Sequence, residues 1–446
     1  MRRRNLNTVT AGPPGLSRRR LLQLGGSVAA AGSAGSVLAS CSRAPADGGT
    51  TGGGGGGDDN TFTFYTNAGH AYDTWAEVIK QFEADHGVTV NWQKFQWPDL
   101  TTRLQADVSS GNVPDLTEYS GGDNTMSFVT TGDVLALDDY IAEDGAEMGF
   151  PDDWQDAAVT PWQHEGSTYG IQLQLTCQQI YYNKQMFADA GISGPPDTWD
   201  DLLAIATELT RGNVHGIALN QDASYSYPWI LQAGGTLYDN DAEEFLSPHA
   251  AAARALQFQQ DLCHKHQASP VPVASNDYSG PQKLLSAERA AMIITGPWDI
   301  KPIREGSPDL DLGLGLPLQD EERLTHLAGS GVFIPAKSKH PDLAWDLVKR
   351  LTALETELAL TEESGQTMPR KSWAEHPDIT SDPVTQKLAE ALQYTVDWGQ
   401  AVAPSGKLPV ITDAYKTLYQ SVVLSNKPVD AEMQNFLQAA ETAHNG

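Results

Sequence analysis

The sequence is short of cysteine and of basic residues, and both shortages exclude classes of protein. Three cysteines in 446 residues cannot supply a disulfide framework. Lys and Arg total 29 against 57 Asp and Glu, a formal net charge of -28. Because phosphate binding needs a basic surface, this balance argues against a nucleic-acid-binding protein. With 40% hydrophobic residues, the composition is typical of a globular chain, and the length suits two domains or one large two-lobed domain.

The chain also lacks the signatures of several enzyme classes. No G-x-S-x-G, C-x-x-C or Walker lysine loop occurs, and His164-Glu165 lacks the second His of a zinc-binding H-E-x-x-H motif. A carbohydrate-active hydrolase would need two positioned carboxylates, but 57 acidic residues supply such pairs in any fold. A secreted hydrolase stays open as an alternative. We expect a protein that is not an enzyme, with no catalytic residue, metal or cofactor.

The N-terminus has the plan of an export signal. Residues 1–40 contain six Arg and no acidic residue, and residues 21–40 carry no charge. The segment Ser17-Arg18-Arg19-Arg20-Leu21-Leu22 resembles a twin-arginine signal, and the general secretion route fits the same residues. We therefore expect residues 1–40 to be a signal peptide.

A possible membrane anchor follows this signal. Leu38-Ala39-Ser40-Cys41 resembles the lipobox of bacterial lipoproteins, in which the cysteine is acylated. We predict that Cys41 is lipidated. Residues 41–60 include the run of Gly at 52–57 and are predicted to be a flexible tether.

The rest of the chain begins with alternating strand and helix patterns. Residues 61–65 alternate as in a strand, and residues 75–82 repeat apolar side chains at helical spacing before Gly87. A strand at 88–92, a helix at 99–109 and a strand at 114–119 complete a βαβαβ order. This order predicts an α/β fold with a parallel sheet and crossover helices. Ligands bind at the carboxyl ends of such strands, which are here the loops at 66–70 and 119–124.

A family resemblance rests on short blocks in a fixed order. They are SSGNVPD at 109–115, GSTYGI at 166–171, YYNK at 181–184, AGI at 190–192, PPDTW at 195–199, GGTLY at 234–238, AMIITGPWD at 291–299, GSGVFIP at 329–335 and GQTMPR at 365–370. Together they resemble the extracellular solute-binding proteins of bacterial ABC transporters, in the carbohydrate-binding group that includes maltose-binding protein. The likeness extends over residues 61–446.

This resemblance implies a fold and a role. The fold has two lobes, each a mostly parallel sheet flanked by helices, with the ligand cleft between them. The first lobe takes residues 61–173 and 311–336, and the second takes residues 177–308 and 337–446. The implied protein is a monomer, held by a lipid on the outer face of the cytoplasmic membrane. It captures a sugar or oligosaccharide and delivers it to the permease subunits of an ABC importer. A polyamine, iron or a peptide stays open as the solute.

Candidate ligand-binding residues follow from the chemistry of sugars, which offer hydroxyls at the rim and C–H patches on the faces. Loops after strands supply Asn67, His70, Tyr119, Asp123 and Asn124. In the segment 171–176, polar Gln172, Gln174 and Thr176 alternate with apolar residues, and we assign Gln174 and Thr176 to the cleft.

Aromatic residues supply the remaining candidates. A polar-aromatic cluster contains Asp222, Tyr225 and Tyr227, and the resemblance implies that Trp298 stacks on the sugar and that Arg370 and Trp398 reach the cleft. Turn capping for the polar loop residues and core packing for Trp298 remain alternatives. Cys177 and Cys263 are expected to be buried free thiols.

Overall fold

The computed structural model describes residues 60–275 and 277–446, so the predicted signal and Cys41 lie outside the described residues, as does all of the predicted tether except Asn60. The strands are β1 (Thr61–Asn67), β2 (Thr89–Phe95), β3 (Leu116–Tyr119), β4 (Gln163–His164), β5 (Ser167–Thr168), β6 (Ile171–Cys177), β7 (Gln179–Asn183), β8 (His215–Ala218), β9 (Thr236–Asp239), β10 (Glu244–Ser247), β11 (Ala290–Thr295), β12 (Leu312–Leu314), β13 (Thr325–Phe333) and β14 (Thr395–Val396).

The helices include long amphipathic segments and several single turns. They are α1 (Asp73–His86), α2 (Trp97–Ser110), α3 (Gly122–Val129), α4 (Asp138–Met148), α5 (Asp156–Val159), α6 (Lys184–Asp189), α7 (Trp199–Leu209), α8 (Tyr227–Gln232), α9 (His249–His264), α10 (Gly280–Ser286), α11 (Ile300–Gly306), α12 (Pro341–Leu351), α13 (Leu354–Ser364), α14 (Lys371–Ala374), α15 (Pro377–Thr380), α16 (Pro383–Ala391), α17 (Leu408–Tyr419) and α18 (Val429–Asn445). Within the described residues, no helix is long and apolar enough to cross a membrane.

The first sheet has the order β14-β13-β3-β1-β2, with β6 also paired to β13. Strands β1, β2 and β3 are parallel, and the helices α1 and α2 connect them, which confirms the predicted βαβαβ order. Phe62 and Phe64 point into a core shared with Trp75 and Phe82 of α1. Gly87 ends α1 in the left-handed conformation, at φ 64°, which a glycine adopts without strain.

The second sheet has the order β12-β7-β11-β8, in which β8 and β11 are parallel and β7 is antiparallel to both of its neighbours. Its helix α7 begins with a capping box: Thr198 Oγ1 accepts from Asp201 N, and the Asp201 carboxylate accepts from Thr198 N, both at 3.1 Å. We call the first sheet with its helices the first lobe, and the second sheet with its helices the second lobe.

Three segments cross between the lobes. Strand β6 of the first sheet runs directly into β7 of the second, and the chain returns from β12 to β13. The third crossing follows β14, because β14 pairs in the first sheet while α17 packs with α18 in the second lobe. This architecture confirms the predicted two-lobed α/β fold. The first sheet is mostly parallel as expected, whereas two of the three strand pairings in the second sheet are antiparallel.

Two of the expected lobe boundaries are wrong. The range 311–336 was assigned to the first lobe, but β12 pairs with β7 in the second sheet, so the return crossing comes after residue 314. The range 337–446 was assigned to the second lobe, but α12 and α13 pack on α1. Their side chains complete a core with the first sheet. In the same range, α17 and α18 pack in the second lobe, and Leu388 of α16 joins a core with Tyr181 and Ile293 of the second sheet.

One helical sequence pattern forms two helices in the structure. The leucines at 343, 347, 351 and 354 share a helical spacing, yet α12 ends at Leu351 and α13 begins at Leu354. The carbonyl oxygen of Thr352 accepts hydrogen bonds from Nε and Nη2 of Arg370, at 2.9 and 2.7 Å. This tertiary contact takes the carbonyl out of a continuing helix, and Ala353 turns the chain in an extended conformation.

Both predicted buried thiols are confirmed. Cys177 and Cys263 are buried and unpaired within the described residues. Burial raises the pKa of Cys177 to about 12 and that of Cys263 to about 11, so both remain protonated and unreactive near neutral pH.

Candidate functional site

A cavity of about 320 Å³ lies between the two lobes. Its wall consists of His70, Trp97, Ser120, Gly121, Gly122, Asp123, Asn124, Pro161, Gln172, Gln174, Thr176, Gln178, Asp222, Ser224, Tyr225, Tyr227, Tyr278, Trp298, His326, Leu327, Ala328, Gly329, Gln366, Asp397, Trp398, Leu408 and Thr412. The wall therefore combines amides, carboxylates and aromatic rings from both lobes and from the crossing segments.

Strand β6 supplies the amide-rich floor. Gln172, Gln174 and Thr176 line the cavity, whereas Ile171, Leu173 and Leu175 lie in the core of the first lobe, as the alternation predicts. Gln172 is held on both sides, because its Oε1 accepts from Trp162 Nε1 at 2.6 Å and its Nε2 donates to the Gln174 carbonyl at 2.7 Å.

Loops after β1 and β3 form the first-lobe rim, as expected from the carboxyl ends of parallel strands. His70 reaches the cavity and contacts Glu118 through Nδ1 at 2.5 Å, and its ring packs edge-on against Trp97. Asn124 also reaches the wall, with its Nδ2 donating to the Ser120 carbonyl at 2.7 Å.

Two predicted residues of this rim stand behind the wall instead. Asn67 is buried, and its Oδ1 accepts from Gly69 N at 2.7 Å, which fixes the turn that carries His70. Tyr119 packs edge-on against Phe128 and Phe333, and its hydroxyl pairs with Thr101 at 3.1 Å. Both residues shape the rim without lining the cavity.

Two carboxyl groups meet in the wall. Asp123 belongs to α3 and Asp397 follows β14, and Asp123 Oδ2 lies against Gly399, two residues beyond Asp397. Asp123 Oδ1 accepts from Asn124 N at 2.8 Å, and Asp397 Oδ1 accepts from Gly399 N at 2.9 Å. Burial, and then the neighbouring negative charge, raise the pKa of Asp123 well above its usual range.

Aromatic rings form the second-lobe side. Trp298 follows Gly296-Pro297, its ring lies over Gly296 where no Cβ stands, and its Nε1 donates to the Tyr225 hydroxyl at 3.1 Å. Tyr227 and Trp398 stack with ring centroids 4.7 Å apart and an interplanar angle of 11°. Together these rings give the cavity apolar faces next to its polar groups.

Burial changes the titration of two groups at the site. It raises the pKa of Asp299, just behind Trp298, to about 7, although Thr295 Oγ1 donates to Asp299 Oδ2 at 2.6 Å. It also lowers the pKa of His326 to about 4, so this imidazole is neutral at physiological pH.

Several buried polar atoms of the wall have no hydrogen-bond partner among the described residues. They are Thr176 Oγ1, Gln178 Oε1, His326 Nδ1, Gln366 Oε1, Asp397 Oδ2 and Trp398 Nε1. Because buried polar groups in proteins are normally paired, this set indicates that the cavity accommodates a polar ligand.

Arg370 does not reach the cavity, contrary to the prediction. It lies in the first lobe, where Nη1 donates to the Met148 carbonyl at 2.8 Å and contacts Asp153 Oδ2 at 2.9 Å. Its guanidinium carbon lies 3.9 Å from the Trp154 ring centroid. Three guanidinium hydrogen bonds go to the carbonyls of Thr352 and Met148 at helix ends and one goes to the Asp153 carboxylate, which is a structural role.

The remaining predicted residues are brought together by the fold. The wall contains His70, Asp123, Asn124, Gln174, Thr176, Asp222, Tyr225, Tyr227, Trp298 and Trp398. Sequence reasoning missed Trp97, Tyr278, His326, Gln366 and Asp397, which also line it. The position of Trp97 just after β2 was a usable signal, and Asp397 adjoins a predicted residue. Gln366 lies in the block GQTMPR, from which Arg370 was chosen instead, whereas His326 carried no local pattern. Within the described ranges, no group of three or more His, Cys, Asp or Glu side chains could hold a metal ion.

The structure has two α/β lobes, three crossings between them and a polar and aromatic cavity. This arrangement is that of a two-lobed ligand-binding protein. The chain belongs to the bacterial extracellular solute-binding protein family, whose profile matches residues 77–387. This result confirms the resemblance noted in the sequence. The family consists of binding proteins that act outside the cytoplasm, which indicates an exported protein.

Individual relatives agree with this assignment. A binding protein of Brucella abortus is 27% identical over 65% of this chain and 71% of its own length. The diacetylchitobiose binding protein DasA of Streptomyces coelicolor is 25% identical over 91% of this chain and 96% of its own. A solute-binding protein of Thermotoga lettingae, solved bound with alpha-D-tagatose, superposes with a TM-score of 0.77 and 24% identity, over 86% of this chain and all of the other.

Proposed function

We propose that this protein captures a saccharide in the cavity between its lobes and delivers it to the permease subunits of an ABC importer. The observation that supports this most is the composition of the wall, which sets aromatic faces beside amides and carboxylates. Aromatic faces match the C–H patches of a sugar ring, and the planar polar groups match its hydroxyls. The protein acts as a binder that leaves the saccharide intact.

Two relatives support a saccharide as the solute. One is named for binding diacetylchitobiose, and one was solved with alpha-D-tagatose. The unpartnered atoms of the wall add a physical reason, because hydroxyl groups both donate and accept hydrogen bonds and so suit Thr176 Oγ1, Gln366 Oε1 and Trp398 Nε1 together.

A thermal-shift screen tests the proposal. Mono-, di- and oligosaccharides are compared with spermidine, iron salts and short peptides. A saccharide present at 100 times its Kd should add about 2.7 kcal/mol to the free energy of unfolding. The bound saccharide is then recovered and analysed by mass. Stabilisation by a polyamine, iron or a peptide alone would contradict the proposal, and so would a shortened saccharide.

The proposal includes a lipid anchor at Cys41, which would hold the receptor on the outer face of the cytoplasmic membrane, as a monomer, near the permease. We predict that Cys41→Ser moves the protein from the membrane fraction to the soluble exported fraction. Cys263→Ser is the control, because that thiol is buried in the second lobe. If the Cys41→Ser protein stays in the membrane with unchanged mass, the anchor is wrong.

A further inference from the structure

The carboxyl groups of the cavity wall have no cationic counterpart in the wall. Asp123, Asp222 and Asp397 contribute carboxyl groups, while the described part of the wall contains no Lys or Arg. Two imidazoles are present. His70 is occupied by Glu118, and His326 is kept neutral by burial. The wall therefore has an excess of acidic groups over cationic ones.

Asp123 and Asp397 each leave one oxygen free for a ligand. In both residues Oδ1 accepts a backbone N–H, and Oδ2 receives no donor from the described residues. Asp123 Oδ2 lies against Gly399, two residues after Asp397, so the free oxygens occupy the same corner of the cavity. Two ionised carboxylates in one corner repel each other unless a proton or a cation lies between them.

Independent atoms of the same wall also favour a ligand that donates hydrogen bonds. Gln178 Oε1 and Gln366 Oε1 are acceptors without partners among the described residues, and both side chains are at most 3% exposed. A protonated amine is a donor only, with three N–H groups and a positive charge. A hydroxyl brings one donor and no charge, so it cannot replace the proton that the two carboxyls otherwise need between them.

We propose that the preferred ligand is a saccharide with a protonated amino group, and that Asp123 and Asp397 bind that ammonium group. This inference rests on the proposed saccharide function and makes it more specific. The aromatic faces of Trp298 and Tyr227 then contact the sugar ring, and the acid pair selects the amine.

Matched saccharides test the inference. Glucose, glucosamine and N-acetylglucosamine, and the β-1,4-linked dimer of each, differ only in the group at C2. Calorimetric titration at pH 6.5 keeps the amines protonated. We expect an amino saccharide to bind at least about tenfold more tightly than both of its neutral counterparts, because charge-assisted hydrogen bonds are roughly twice as strong as neutral ones.

Variants of the acid pair test whether Asp123 and Asp397 cause the preference for an amino saccharide. In Asp397→Asn, the affinity for an amino saccharide should lie within about threefold of the affinity for its neutral counterpart. The reason is that a neutral amide replaces a charged acceptor. Asp123→Asn is the second variant in case the first fails to fold. Asp413→Asn, an exposed site on α17 outside the wall, removes one charge and should keep the wild-type ratio.

The outcomes separate this inference from the saccharide function. If a neutral saccharide binds as tightly as its amino counterpart, or if both Asp variants keep the wild-type ratio, the amino preference is wrong while saccharide binding stands. If no amino saccharide binds, the inference is also overturned. If spermidine binds and no saccharide does, the saccharide function itself is wrong, and this inference fails with it.

Discussion

At the scale of single residues, the indole of Trp298 is the clearest candidate for stacking on a sugar. The Gly296-Pro297 turn holds the ring at the wall, and its Nε1 is already satisfied by Tyr225. A ring fixed in this way offers its free face to the cavity at little entropic cost.

We predict that Trp298→Ala weakens saccharide binding about ten- to thirtyfold. One indole face covers roughly 60–80 Å² of sugar C–H surface, worth ~1.5–2 kcal/mol at ~25 cal/mol per Å², and ~1.4 kcal/mol is a factor of ten. Calorimetry measures the affinity, and denaturant unfolding measures the stability of the unliganded protein.

A core tryptophan provides the contrast. Trp229→Ala removes a side chain that is 1% exposed and should cost ~3–5 kcal/mol of folding stability. If Trp298→Ala shows that large loss of stability with unchanged saccharide affinity, Trp298 is a core residue and the stacking assignment is wrong.

The buried carboxyl of Asp299 makes stability depend on pH. Burial raises its pKa from 3.8 to about 7, so the folded protein binds more protons than the unfolded chain between about pH 4 and pH 7. Stability therefore falls as the pH rises through this window.

We predict that Asp299→Asn removes this dependence. Between pH 4 and pH 8 the variant should gain stability relative to the wild type, by up to roughly 4 kcal/mol at 1.36 kcal/mol per pKa unit. The Asn Oδ1 still accepts from Thr295. Urea unfolding of both proteins at four pH values measures the difference, and a constant difference across the window would contradict the assignment.

At the scale of elements, Arg370 joins several helix ends in the first lobe. It binds the Thr352 carbonyl after α12 and the Met148 carbonyl at the end of α4, and its Nε lies 3.6 Å from Glu357 Oε1. Glu357 is buried, and its pKa is raised by that burial despite the arginine.

We predict that Arg370→Met destabilises the protein by ~3–5 kcal/mol, because it leaves a buried carboxyl and two helix carbonyls without their partner. The affinity for saccharide per folded molecule should stay unchanged. The double variant Arg370→Met with Glu357→Leu should recover much of the loss. Denaturant unfolding measures both.

Arg350→Ala serves as the control, because its carboxylate partners Asp85 and Asp346 are partly exposed and such pairs contribute ~0–1 kcal/mol. If Arg370→Met and Arg350→Ala have equal effects, the buried role of Arg370 is wrong.

The elements also show which parts of the fold can be predicted from the sequence alone. The strands β1 to β3 and the polar face of β6 were predictable, because period-two alternation is a local property of a strand. The break between α12 and α13 was not, since it depends on Arg370, eighteen residues beyond Thr352. The same limit applies to the site, where strand-end residues were found. His326 had no local pattern, and the block that contains Gln366 did not show which of its residues faces the cavity.

At the scale of the whole molecule, the three crossings are where we expect the lobes to hinge. The pairing of β13 with β6 shifts register between Ser330 and Gly331, and Gly329 has φ 121°, a conformation that side chains strongly disfavour. Leu327, Ala328 and Gly329 of β13 line the cavity, so this irregular part of the strand faces the proposed ligand site.

We predict that a saturating saccharide closes the lobes and reduces the radius of gyration measured by small-angle X-ray scattering. The Trp298→Ala variant should need an about ten- to thirtyfold higher saccharide concentration for the same reduction in radius. Identical scattering of the wild type with and without saturating ligand would contradict closure.

The placement of β13 also has a consequence for how the chain is made. Strands β1, β2, β3 and β6 leave the ribosome before β13, the strand that joins β3 to β6, and β13 begins 148 residues after the end of β6 at Cys177. During that interval the edge of β3 has no partner among these strands, and α12 and α13, which cover α1, come later still. The first lobe therefore completes its fold only after most of the second lobe has been synthesised. A fragment truncated before residue 325 should expose an unpaired strand edge and aggregate.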